Sequence, residues 1–133
     1  MKQKTKIIII SILIGIFIGT LLNYFFNEYS LKQKAKAAYA IGLEEFENKN
    51  YHKAISLFSI SIGLNPEWYV SYMKIADSYH MIGAYALSVE NYKYALSINS
   101  NQIKLERADN EYISKQIQIV KEKARNQSDG HKP

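Results

Sequence analysis

Residues 7–26, IIIISILIGIFIGTLLNYFF, contain no charged side chain, and the next charge after Lys6 is Glu28. Few structures tolerate so apolar a run. In lipid, every backbone N–H and C=O must be paired internally, which leaves a helix or a closed barrel. As a helix the run is about 30 Å long, the thickness of a bilayer's hydrocarbon core. A single transmembrane helix over residues 7–26 is therefore expected, with residues 1–6 as a basic flank. Tyr24, Phe25, Phe26 and Tyr29 gather at its C-terminal end, where amphipathic rings favour the headgroup level. A cleaved signal peptide is the rival reading, with Lys2–Lys6 as its basic start. Its apolar core is usually about 7–15 residues long and ends in small residues. Here the core is longer and ends in Tyr and Phe, and Ala35-Lys36-Ala37 lies beyond it in a probable-helix pattern without Pro. A retained anchor is the expectation.

Within the anchor, Ser11, Gly15, Gly19 and Asn23 recur every fourth residue and so form one helical stripe. Small residues at this spacing let two helix backbones approach closely, and Asn23 adds a hydrogen-bonding group. Association with a second copy through this stripe is a possible partner contact; the alternative is the ordinary glycine content of membrane helices. Orientation rests on Lys2, Lys4 and Lys6 before the anchor against Lys32, Lys34 and Lys36 after it. The leading lysines sit closer to the apolar core. The positive-inside rule then favours a cytoplasmic N-terminus, with the rest of the chain outside, periplasmic or extracellular.

The net charge of +5 invites a nucleic-acid reading. Three of those charges precede the anchor. After Phe26 there are 14 basic and 12 acidic residues, a net of +2, interspersed rather than gathered into a stripe. No nucleic-acid partner is expected. There are no cysteines, which excludes disulfides, thiolate metal sites and a Cys nucleophile.

The remainder repeats itself at an offset of 34 residues. Ile41 falls on Ile75, Gly42 on Ala76, Tyr51 on Tyr85, Ala54 on Ser88, Ile55 on Val89 and Phe58 on Tyr92. Ser61 falls on Ala95, Ile62 on Leu96, Leu64 on Ile98 and Asn65 on Asn99. A period in this range signals stacked supersecondary units. Inside each unit the apolar spacing is helical: Tyr72, Ile75, Ala76 and Tyr79 on one face, then Ser88, Val89, Tyr92, Ala95 and Leu96 on another. Asn48–Asn50 and Gly83 mark turns. Asn65-Pro66-Glu67 reads as a helix start, with Asn capping and Pro at the first helical position. The small pairs Gly42/Ala76, Ala54/Ser88 and Ser61/Ala95 mark where helices touch most closely. Each unit is thus an antiparallel helix pair.

On these residues the sequence resembles the tetratricopeptide repeat family. The matching positions are Gly42, Tyr51, Ala54, Phe58 and Pro66, then Tyr72, Ala76, Tyr79, Tyr85, Tyr92 and Ala95. The resemblance covers about residues 35–102. It departs from the family's pattern at Ala38, Ser61, Ser88 and Ser100. The expected fold is all-α: the membrane helix, a helical connector over 27–34, repeats over 35–68 and 69–102, and a capping helix over 103–125. Leu105, Ala108, Tyr112, Ile113, Ile117 and Val120 give that last helix an apolar face, and open repeat stacks need such a cap. Residues 126–133 are polar and expected to be disordered. No Pro lies between Tyr24 and Asn48, so the anchor is expected to run into the first repeat without a flexible break.

No catalytic constellation is present. His52, His80 and His131 have no partner at metal-ligand spacing. Glu44, Glu45 and Glu47 spread over a helix surface, and there is no glycine-rich phosphate loop or nucleophile motif. No enzymatic activity, metal or cofactor is expected. In the family that the chain resembles, the first helix of each pair lines a concave groove that holds a peptide or a partner helix. The resemblance places Lys36, Tyr39 and Leu43 there from the first repeat, and Met73, Lys74, Asp77, His80 and Met81 from the second. Arg107 is the corresponding residue of the last helix. Leu43 and Asp77 stand where some members carry Asn to clamp a C-terminal carboxylate, so that activity is not expected. The mixture of aromatic, Met and charged groups suits an amphipathic segment. The functional expectation is a membrane-anchored scaffold or assembly factor binding a protein partner in a bacterial envelope complex. A cytoplasm-facing docking or targeting receptor, and a structural subunit of a membrane complex, are the alternatives.

Overall fold

The computed structural model describes residues 2–101 and 107–129. Every element among them is helical: α1 (Lys2–Glu47), α2 (Tyr51–Leu64), α3 (Tyr69–Met81), α4 (Tyr85–Asn101) and α5 (Arg107–Asp129). The chain divides into two units, Met1–Gln33 and Lys34–Pro133.

The first unit consists of the N-terminal part of α1. From Ile7 to Phe26 its side chains are exposed along the whole length, with Phe26 at 75%. Its most apolar stretch has a mean hydropathy of 2.4. This is the one helix among the described residues long and apolar enough to cross a membrane. Ser11, Gly15, Gly19 and Asn23 all lie exposed on it. The Ser11 hydroxyl donates to the Ile7 carbonyl at 2.9 Å, so the stripe's first polar group is satisfied within the helix.

In the second unit, α3 packs against both α2 and α4, and α4 packs against α5. Its core has two centres. Ala54, Phe58 and Ile75 form one, covered by Tyr39, Leu43 and Phe46 from the C-terminal end of α1. Ala76, Tyr92, Ala95, Ile113, Ile117 and Val120 form the other. Thus α3 gives Ile75 and Tyr79 to the first and Ala76 and Tyr72 to the second. The small residues explain how closely the helices approach. Gly42 is buried, and a Cβ there would lie 2.7 Å from Phe58 Cε1. Ala54, Ser61, Ala76, Ser88 and Ala95 are all fully buried.

The buried serines are paired, as buried polar groups must be. The Ser61 and Ser71 hydroxyls lie 3.0 Å apart. Ser78 donates to the Lys74 carbonyl at 2.7 Å, and Ser88 to the Ala76 carbonyl at 2.8 Å. The last bond ties α4 to α3.

Two helix ends share one capping pattern. The Lys49 N–H donates to the Phe46 carbonyl and the Asn50 N–H to the Glu45 carbonyl. Thirty-four residues later, Gly83 donates to His80 and Ala84 to Tyr79. Both are Schellman caps, in which a residue with positive φ reverses the chain. That residue is Lys49 (φ 61°) at the first and Gly83 (φ 79°) at the second.

The sequence pattern misplaces two boundaries. Asn65 does not cap α3. It terminates α2, and its carbonyl accepts the Trp68 N–H at 3.1 Å. Pro66 and Glu67 are the middle of that turn, where the fixed φ of Pro is as suitable as at a helix start. Trp68 precedes α3 and makes no side-chain cap. The second correction is that α5 continues to Asp129, into the stretch expected to be disordered. Residues 102–106 and 130–133, with Leu105 among them, lie outside the described residues.

Candidate functional site

The residues expected to line one face divide into three groups. Tyr39, Lys74 and Asp77 come together. The Lys74 ammonium donates to Asp77 Oδ2 at 2.9 Å, one helical turn away. It also lies over the Phe46 ring, 5.3 Å from the centroid, a favourable placement for a cation. Tyr39, from α1, feels the charges of both members of the pair. Its ring packs on Phe58 and on Trp68, with centroids 5.5 Å and 5.0 Å apart.

The second group is structural. Leu43 is packed into the α1–α2–α3 centre, and Met73 into the α3–α4–α5 centre. They are partly buried because α3 is covered on two sides. His80 belongs with α4 and α5: its ring meets Tyr85 edge-on at 5.8 Å, and Lys123 faces it electrostatically. The third group is exposed. Lys36 lies on the surface of α1, and Met81, 55% exposed, ends α3. Arg107 begins α5, and its side chain lies outside the described residues.

Two members of the cluster come from helices that the face pattern does not include. Tyr92, fully buried in α4, donates its hydroxyl to Asp77 Oδ1. Tyr112, from α5, is 44% exposed and shares the field of Lys74 and Asp77. The electrostatics follow from this crowding. Burial works against the Lys74 ammonium, but Asp77 outweighs it and its pKa lies above the ordinary lysine value. Burial raises the Tyr92 phenol, and Asp77 raises it further. Tyr39 and Tyr112 are also raised, mainly by burial, with Lys74 acting in the opposite sense. At neutral pH the cluster is therefore a charged Lys–Asp pair among neutral phenols.

A second feature lies at the α1–α2 corner. An open recess of about 610 Å³ is lined by Lys49, Asn50, Tyr51, His52, Lys53 and Ile82. None of these was singled out by spacing, because the recess is made by two turns distant in sequence. Glu45 neutralises part of its basic character: Lys53 reaches it at 2.5 Å and Asn50 Nδ2 at 2.8 Å. The Lys53 bond, then the Asn50 bond, lowers the Glu45 pKa.

Among the described residues, no group of three or more His, Asp or Glu side chains could hold a metal ion. No protein-family model matches the chain, and no curated protein is significantly similar to it.

Proposed function

We propose that this is a single-pass membrane protein whose helical domain docks a protein partner. Its scaffold or assembly role belongs to an envelope complex of a bacterium, and the domain is a short tetratricopeptide-like array. The observation that carries the reading is the exposed apolar stretch of α1, in a chain that also contains an independently packed helical core. An apolar surface of this extent has no place in water. Support for the repeat comes from the two Schellman caps and from the bonds Ala54 N–H to Asn50 and Ser88 N–H to Ala84, all offset by 34 residues. Support for a docking face comes from side chains of α1, α3 and α5 meeting around Lys74, with Tyr112 accessible.

The N-terminus is cytoplasmic and the domain lies outside, on the strength of Lys2, Lys4 and Lys6 abutting the apolar run. Fusions of an export-dependent reporter at Pro133 are expected to be active. An inactive export reporter with an active cytoplasmic one would turn the domain inward and favour a docking receptor. Recovery of a membrane-complex partner with the detergent-solubilised full chain is expected to fall at least severalfold with Lys74→Met. Recovery that instead survives Lys74→Met but fails when the anchor is exchanged would make the membrane helix the contact element. Homo-association through Ser11, Gly15, Gly19 and Asn23 belongs to the same proposal. A membrane two-hybrid signal unaffected by Gly15→Ile and Gly19→Ile removes that part of it.

A further inference from the structure

We infer that the Lys74 cluster holds the main chain of an extended, uncharged segment of the partner protein, not an acidic tail and not a helix. The inference rests on the docking-face reading above and adds to it the chemistry of the occupant.

The cluster has spare donors and no spare acceptor. Asp77 is used at both oxygens, by Lys74 at Oδ2 and by Tyr92 at Oδ1. Lys74 carries three N–H donors, and one is spent on Asp77. Among the described residues, the hydroxyls of Tyr39 and Tyr112 have no hydrogen-bond partner, although both lie in the field of the pair. These donors come from α1, α3 and α5, so an occupant that meets them all touches three helices. What complements them is a set of acceptors.

Charge decides which acceptors. Lys74 is already matched by Asp77, and on the described part of the face Lys36 and Lys74 balance Glu47 and Asp77. A carboxylate brought beside Asp77 meets a like charge in a partly buried place, which is unfavourable. A neutral carbonyl does not. Secondary structure decides the rest. The carbonyls of a helix are consumed by its own N–H groups except at its last turn. An extended chain offers one carbonyl per residue, at about 3.3 Å spacing. Phe46 and Trp68, in contact with Lys74 and Tyr39 respectively, add apolar surface beside the donors.

The test uses the full-length chain in lipid nanodiscs and a displayed library of random linear peptides. The expected binders share an uncharged core without helical periodicity. Binding measured by fluorescence anisotropy is expected to weaken about tenfold with Tyr112→Phe and at least tenfold with Lys74→Met. Replacing core amides of a selected peptide by esters, whose carbonyls accept more weakly, is expected to weaken it as well. Tyr112→Phe removes one atom from a partly exposed ring, so it reports on binding even if Lys74→Met disturbs folding; thermal melts of both variants check this. Acidic or helix-forming binders that still depend on Lys74 would overturn the extended, neutral occupant while leaving the docking face. Binders indifferent to both variants, or none at all, would overturn the inference together with the docking face at Lys74.

Discussion

Lys49 is the only non-glycine residue with positive φ among those described, and it holds the position that Gly83 holds 34 residues later. A side chain in the left-handed region costs about 1–2 kcal/mol, part of which glycine gives back as unfolded-state entropy. Lys49→Gly is therefore expected to stabilise the domain by about 0.5–1 kcal/mol, and Gly83→Ala to destabilise it by about 1 kcal/mol. Urea midpoints of the two variants, moving in opposite directions, check this. Gly42 is governed by space rather than by backbone freedom. Its absent Cβ would sit 2.7 Å from Cε1 of the fully buried Phe58. Overpacking costs about 1–3 kcal/mol, and the better helix propensity of Ala returns just under 1. Gly42→Ala is expected to lose about 1 kcal/mol, and the loss should shrink when Phe58→Leu is added. Equal losses in both backgrounds would show that Gly42 and Phe58 are not coupled.

At the scale of elements, what the sequence makes legible is decided by whether a signal has one structural meaning. The turns at Asn48–Asn50 and Gly83 are legible because polar and Gly residues interrupt two helical patterns in register. Asn65-Pro66-Glu67 is not, since the same three residue types serve a helix start and the turn that they form here. Lys74, Asp77 and Tyr39 can be found from spacing along their own helices. Tyr92 and Tyr112 cannot, because they reach the pair from α4 and α5, and spacing within a helix says nothing of which neighbour a hydroxyl meets. His80 shows the same thing at the meeting of α3, α4 and α5. It faces Tyr85 and Lys123 across the junction, with Asp77 a turn below. Burial, then Lys123, holds its pKa below the ordinary 6.5 against the pull of Asp77. A depressed base is protonated more readily in the unfolded chain. Its contribution is intact above the unfolded value and is lost as pH falls from about 6.5 through the folded value. Urea melts between about pH 7.5 and 5 should show falling stability, with a shallower fall in His80→Gln. An unchanged slope would place the pH dependence elsewhere.

For the whole molecule, the two units ask for different solvents. Both core centres are assembled from residues between Tyr39 and Val120, whereas residues 7–26 present apolar side chains to their surroundings throughout. Removing residues 1–33 thus deletes the part that needs lipid and takes nothing from either centre. The fragment 34–133 is expected to be soluble without detergent, helical by circular dichroism, and to unfold in one cooperative urea transition. Its stability should be modest, about 5 kcal/mol or less, because a domain of this size buries a limited core and most of its small interhelical residues contribute proximity rather than area. The full chain should require detergent or lipid to stay monodisperse. The decisive observable is the steepness of the transition, since it scales with the surface exposed on unfolding. A gradual, non-cooperative loss of helix in 34–133, restored when residues 1–33 and a bilayer are supplied, would mean that the helical domain depends on the membrane segment and is not a separate folding unit.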